Sequence, residues 1–560
     1  MTMRRKIRQS QTILLVMLTL LSCDSFKEDS IAPAKQVIFS TTEYYVLPGS
    51  SVVIDLESAV KQSYTNVSLK VSQNPLRGTL SSLGTLLKYY PAHEFLEGKD
   101  QFVFSVLSSN KVIATKTVTI FMKQEVEDLP CPLYAMEDKV YVRSGSTASV
   151  KFLKNDRICG VNDSPLQISI HLNPRFGESK LVGDSIITYT AGPEYTGRDE
   201  LVYKISDLSG EIFSYGIISI SEWEVQFFPT PIMPLSSVIG YQDPAVTKMF
   251  FVNDSTGYLG GYAIYKTTDG GATWKGSLIV VDANDINDMI DDDFSTTDIY
   301  FLDADHGYAS YSSDYHGILL RTVDGGDTWL DLFELDLPVS SVFFTSSTTG
   351  FVSTFKLVNN PFGGTSVLQS ILKTDDGGLT WNSVLSNSAG YGTLDICFAD
   401  SNTGYAYDNF TMFKTIDGGE SWKWAYENEY IMSVAVTPEN IISANFTFFG
   451  SSETSPSVMV RSQDGQTWSQ TIDLPYAILA QQFSPSGNIG FAIGIGGIDR
   501  PDDYPRFRTL SINKSLDKGA TWTEFEITEP LYGHPYAVAF PSDNVAYVLG
   551  FREVIKFTRP

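Results

Sequence analysis

The sequence predicts an all-β protein in which two tandem β-sandwich modules precede a seven-bladed β-propeller. Three observations predict it. The composition is rich in Tyr, Phe, Thr, Ser and Gly, which suits strands and turns. Residues 37–222 repeat themselves at an offset of 99. From residue 267 onward, one Ser/Thr-x-Asp turn closed by a Trp recurs six times. A chain of 560 residues exceeds one ordinary core, so several domains are expected. The balance of 40 basic against 65 acidic residues leaves a net charge of −25. Such a chain repels phosphate backbones and anionic lipid surfaces, which argues against nucleic acid as a partner.

The N-terminus reads as a targeting segment. Arg4, Arg5, Lys6 and Arg8 precede an apolar run, Thr12 to Leu21, that is too short to span a bilayer. The run ends in Leu20-Leu21-Ser22-Cys23. This resembles the lipobox of bacterial lipoproteins, which implies cleavage before Cys23 and lipid attachment to it. The anchor would be the only membrane contact. Asp24 to Asp29 form a short Lys-plus-acid cluster that resembles the surface-export signal of some Gram-negative lipoproteins. The expected location is therefore the bacterial outer membrane or cell surface. The expected layout is a signal peptide at 1–22, a tether at 23–36, modules at 37–125 and 126–221, and a propeller at 222–560.

The other cysteines follow from that compartment. Cys131 and Cys159 share one module outside the cytoplasm and are the disulfide candidates. Cys397 sits in the apolar run Leu394 to Phe398 and is expected to be a buried thiol. No Cys/His spacing resembles a zinc site.

The two modules align without a gap. Pro75-Leu76-Arg77-Gly78 matches Pro174-Arg175-Phe176-Gly177, and Gly98 and Asp100 match Gly197 and Asp199. Phe102, Phe104 and Val106 alternate with polar residues, as do Leu201, Tyr203 and Ile205, the period of a half-buried strand. Modules of this length with many short strands read as β-sandwiches. The second copy carries Leu153-Lys154-Asn155-Asp156, Tyr189-Thr190 and Tyr195-Thr196-Gly197-Arg198-Asp199. These segments resemble bacterial Ig-like and cadherin-like tandem repeats. The modules are expected to act as a spacer that holds the propeller away from the membrane.

The six turns carry Asp269 with Trp274, Asp324 with Trp329, Asp376 with Trp381, Asp417 with Trp422, Asp464 with Trp468, and Asp517 with Trp522. Trp-to-Trp steps of 55, 52, 41, 46 and 54 are the lengths of four-stranded propeller blades. The pattern is that of the Asp-box. Its Asp bonds the turn's own N–H groups and its Trp packs between blades, so these residues are expected to fasten the fold and do no chemistry. After Trp522 three strands remain without a box. Trp223 to Phe228 resembles the strand that follows each box, so it should supply the missing outer strand and close the ring at seven blades.

The boxed repeat resembles photosystem II assembly-factor repeats, sialidases, xyloglucanase-type glycoside hydrolases and sortilin-like receptors. The sialidase Arg-Ile-Pro motif near the first blade is missing, and Arg is scarce. In such propellers the ligand face lies opposite the boxes. The candidates on long loops there are Phe362, Phe448, Phe449, Arg500, Asp502, Asp503, Tyr504 and Arg506. The run Asp282, Asp285, Asp288, Asp291, Asp292, Asp293 could hold Ca²⁺, although it lacks EF-hand spacing. No other metal and no cofactor is expected. No catalytic residues stand out. The leading expectation is a non-enzymatic surface protein that binds an extracellular glycan or protein. The alternative is a polysaccharide-acting glycoside hydrolase, which two facing carboxylates in the central cleft would mark.

Overall fold

The computed structural model describes residues 42–59, 67–92, 95–159, 165–231, 246–280, 294–313, 315–359, 365–390, 392–427, 429–447, 455–496, 509–525, 534–550 and 553–559. The chain is all-β. No helix among these residues is long and apolar enough to cross a membrane.

The two N-terminal modules share one plan. In the first, Glu43–Val46, Lys111–Met122, Lys99–Ser108 and Val67–Gln73 form one sheet in that order, facing Val52–Ile54, Leu86–Pro91 and Gly78–Leu83. In the second, Glu137–Tyr141, Phe213–Ser221, Arg198–Ser206 and Gln167–Leu172 face Thr147–Val150, Ile186–Ala191 and Gly177–Val182. In both, the first strand pairs in parallel with the last, and the other pairs are antiparallel. The alternating residues Phe102, Phe104 and Val106, and Leu201, Tyr203 and Ile205, fill the two cores. Cys131 and Cys159 are joined by a disulfide in the second module.

The repeated landmarks are explained by one buried carboxylate per module. Asp100 accepts the Leu76 and Arg77 N–H groups and the Tyr89 hydroxyl at 2.8–3.1 Å. Asp199 accepts the Arg175 and Phe176 N–H groups and the Tyr189 hydroxyl at 2.8–2.9 Å. The Tyr rings lie over Gly78 and Gly177, where a Cβ would meet ring atoms at 2.5 and 2.4 Å. Gly98 and Gly197 take φ of +92° and +101°, a region that side chains resist.

The modules do not stand end to end. Val53, Leu83 and Leu86 on the outer face of one sheet pack on Val202 and Ile217 of the other module. Lys88 lies in the same seam, 3.2 Å from Glu200, and Glu137 accepts the Ser51 N–H at 2.7 Å. The spacer expected from the sequence is therefore a side-by-side pair, with less reach than a linear one.

From Glu224 on, seven sheets stand in a ring among the described residues. Their inner strands, each touching the next, are Val246–Phe251, Ser295–Phe301, Val339–Phe344, Asp395–Phe398, Tyr430–Val436, Ile478–Phe483 and Ala537–Ala539, which returns to the first. This is a β-propeller. The seam is closed by Glu224–Pro229, which pairs antiparallel with Glu553–Thr558 as outer strand of the last sheet. Trp223 packs 5.4 Å from Phe491, which in turn meets Phe540 at 5.0 Å. Trp329 stands in the same way against Tyr258 and Phe301, at 6.4 and 5.6 Å. Trp223 thus fills in the last sheet the place that a turn Trp fills elsewhere.

Between sheets the contacts are aromatic. Tyr258 stacks on Phe301, Tyr308 on Phe344 and Tyr547 on Phe251, with centroids 3.5–4.0 Å apart. Each of these Phe residues pairs across the strand with a Gly whose added Cβ would lie 2.4–2.6 Å from its ring. The bare Cα lets the ring lie flat, which is why Gly precedes an aromatic residue in the repeat.

Candidate functional site

The six Ser/Thr-x-Asp turns are closed by their own side chains. Asp269 accepts the Thr267 hydroxyl, the Thr273 N–H and the Thr273 hydroxyl at 2.8, 2.9 and 2.6 Å. Asp324, Asp376, Asp417, Asp464 and Asp517 sit in equivalent bonds. The bonds from Thr380 hold the Asp376 carboxyl down at about 2, and those from Ser421 do the same for Asp417. A carboxylate so held is a weak base. In the fifth sheet the turn is one residue shorter, and Trp468 meets Tyr426 and Phe446 instead of an inner-strand Phe.

These turns share one end of the ring with the turn between the first two strands, since Gly270 N–H bonds Ser255 O at 2.8 Å. The inner strands therefore begin at the opposite end. Phe362, Phe448, Phe449, Arg500, Asp502, Asp503, Tyr504 and Arg506 lie outside the described residues, as do Cys23 and the acidic run 282–293. Among the described residues no group of three or more His, Cys, Asp or Glu is placed to hold a metal ion.

What the described residues bring together is a polar group at the mouth of the central channel. Each inner strand has one equivalent position, three residues before its Gly-facing Phe or counterpart. Its occupants are Lys248, Asp298, Ser341, Asp395, Ser433, Ala480 and Ala537, paired with Gly260, Ser310, Ser353, Tyr407, Asn445, Ile493 and Leu549. In five of the strands a register shift falls just before it, for example between Val246 and Lys248 and between Thr296 and Asp298. Such a bulge bends the strand and re-aims the side chain that follows.

The group has distinct members. Asp298 accepts Ser341 Oγ at 3.0 Å and Val342 N–H at 2.9 Å on one oxygen, and Ile299 N–H at 2.9 Å on the other. Burial pushes its carboxyl up, and the Lys248 charge opposes that rise. Burial also pushes Asp395 up; Lys248 lowers it, the Asp298 charge raises it, and the Tyr407 hydroxyl lowers it. Asp395 is nevertheless exposed to solvent. An exposed side chain on an inner strand faces the open centre of the ring. Lys248, in the first sheet, acts on carboxylates of the second and fourth sheets, so the three converge across the channel. Lys248 is half-buried and makes no hydrogen bond or ion pair with another described residue.

One layer nearer the turns the channel becomes apolar. Phe250 meets Tyr300 at 5.7 Å, and Tyr300 meets Phe343 at 4.6 Å. Cys397 holds the same position in the fourth sheet. It is half-buried, not fully buried as the sequence suggested, and burial, with the Asp395 charge, pushes its thiol up to about 12.

Lys248, Asp298 and Asp395 were not singled out by sequence reasoning. A signal exists. They stand nine residues before Gly257, Gly307 and Gly404, and Ser341 stands nine before Gly350. A charged residue at a fixed place in an apolar strand costs desolvation and asks for a reason.

Comparisons with known proteins came to the following. The bacterial Ig domain family matches residues 128–216. No curated protein matches the chain. Among solved structures, one described as YCF48 bound to D1 peptide is 18% identical, with a TM-score of 0.43, over 61% of this chain and 98% of that one. YCF48 from Cyanidioschyzon merolae is 16% identical, with a TM-score of 0.41, over 60% of this chain and 99% of that one. An ancestral GH74 enzyme is 12% identical, with a TM-score of 0.42, over 55% of this chain and 44% of that one.

Proposed function

We propose that this chain is a non-enzymatic binding protein that takes an extracellular glycan or protein at the mouth of its propeller channel. Cys23 carries the lipid that anchors it to the outer membrane or cell surface. The paired Ig-like modules support the propeller, and the Asp-boxes fasten its blades. One observation carries the binding reading: both oxygens of Asp298 are occupied by donors from its own and the next strand. A two-carboxylate hydrolase needs both groups free to exchange protons or attack the substrate. Asp395 accepts the Tyr407 hydroxyl and keeps more open valence than Asp298, which suits recognition better than paired acid–base chemistry. The acidic surface, at −25 overall, favours neutral or basic ligands.

The test joins a glycan array with a reducing-end assay on the purified chain. Binding without turnover is expected. Release of reducing ends would instead establish the hydrolase. Labelled fatty acid should enter the wild type and not Cys23→Ser; labelling of both would remove the anchor from the proposal.

A further inference from the structure

The geometry points to a neutral saccharide as the ligand of the channel mouth, held by adjacent hydroxyls that bridge Lys248 and Asp395. This rests on the binding reading above and names its ligand. Of the seven equivalent side chains, three are spent on the channel wall. Asp298 holds the Ser341 hydroxyl and two N–H groups, Ser341 is committed to Asp298, and Ser433 donates to Ile478 O at 2.9 Å. Two more are alanines. That leaves Lys248 and Asp395, and Asp395 accepts the Tyr407 hydroxyl while the rest of its exposed carboxylate still offers acceptor sites to the lumen.

An ammonium can only donate and a carboxylate can only accept, whereas a hydroxyl does both. Two neighbouring hydroxyls on one sugar ring therefore satisfy both side chains at once. A carboxylate ligand would suit Lys248 but meet Asp395 and the overall negative charge. A cationic ligand would suit Asp395 and meet Lys248. Beneath the pair, Phe250, Tyr300 and Phe343 offer an apolar layer to the C–H face of a sugar. At the same end of the ring stand two exposed tyrosines, Tyr262 and Tyr315. Tyr262 comes two residues after Gly260, the strand partner of Lys248, and its carbonyl accepts the Tyr311 hydroxyl at 2.8 Å. Rings with an apolar body and a polar tip suit a wet binding rim.

Calorimetry of the full chain tests this with neutral oligosaccharides, the deoxy analogue of any that binds, uronate oligosaccharides and a basic peptide. A neutral oligosaccharide should bind, and its deoxy analogue, Lys248→Met and Asp395→Asn should each weaken binding about tenfold or more. Lys248→Arg should restore part of the loss, and unchanged melting of the variants separates contact from misfolding. Full binding by both K248M and D395N would overturn the site. Binding of uronates alone, or of the basic peptide alone, would overturn the ligand class while leaving the binding reading intact. Cleavage of any oligosaccharide would overturn the binding reading itself.

Discussion

Glu222 and Lys514 form an ion pair at 3.0 Å where the second sandwich meets the propeller, and both side chains are buried. Glu222 also accepts from Arg559, and Lys514 donates to Thr196 O at 3.1 Å, inside the second module. One carboxylate therefore neutralises two cations that belong to the sixth and last sheets. Glu222→Gln keeps the shape and strands both cations, at a cost of about 3–5 kcal/mol for a broken buried pair. Scanning calorimetry of the full chain should then show the sandwich and propeller melting apart at a lower temperature. An unchanged melting profile would mean that the pair does not couple them.

Trp223 and Trp424 make a matched pair for testing the seam. Trp223 is 1% exposed and packs against the sixth and last sheets, whereas Trp424 is 57% exposed. Trp223→Ala should cost about 3–5 kcal/mol. Trp424→Ala should stay within about 0.5 kcal/mol of wild type. Denaturant unfolding measures both, and equal losses would contradict the assignment of Trp223 to ring closure.

These tests mark how much the sequence could say. The turns at Asp269 to Asp517 were legible because their chemistry is local: donor, acceptor and Gly lie within five residues. Trp223 was legible because the last three strands lacked a partner and the chain supplied one upstream. The face-to-face packing of the sandwiches was not, although Val53, Val202 and Ile217 hinted at it. They are apolar at positions that strict alternation assigns to solvent, but single exposed apolar residues are common. The channel group was hidden for a different reason. Lys248, Asp298 and Asp395 come from three strands spread over about 150 residues, and only ring closure brings them together.

Gly350 illustrates a packing constraint that can be measured directly. Its added Cβ would lie 2.4 Å from the ring of Phe344, which is stacked on Tyr308 at 3.6 Å. Gly350→Ala should cost about 1–3 kcal/mol through overpacking. Phe344→Leu makes room for the methyl, so the double variant should lose less than the sum of the two single losses. Additive losses in a denaturant-unfolding cycle would show that the ring and the Gly are not coupled.

The second sandwich should also respond to pH through Asp138 and Asp156. Tyr203 hydroxyl lies 3.2 Å from Asp138 Oδ2 and 3.2 Å from Asp156 Oδ1, with Glu137 beside them in sequence. Burial pushes Asp138 up to about 8, helped by the charges of Asp156 and Glu137 and opposed by the Tyr203 bond. Burial pushes Asp156 up to about 7, opposed by the Met136 N–H at 2.7 Å and by Tyr203. In the unfolded chain both ionise near 3.9. The folded module therefore binds protons more tightly, so this stabilisation is full below about pH 4 and is lost as pH rises to about 8. Each pKa unit of these shifts is worth about 1.4 kcal/mol, so the loss across that window should be several kcal/mol. Asp138→Asn removes the higher-titrating of the two groups, so its stability should change less between pH 5 and 8, on the same linkage. Hydrogen exchange of Tyr203 and its strand neighbours in the full chain reads this module separately from the propeller. Equal pH slopes in wild type and variant would show that the pair is ionised throughout.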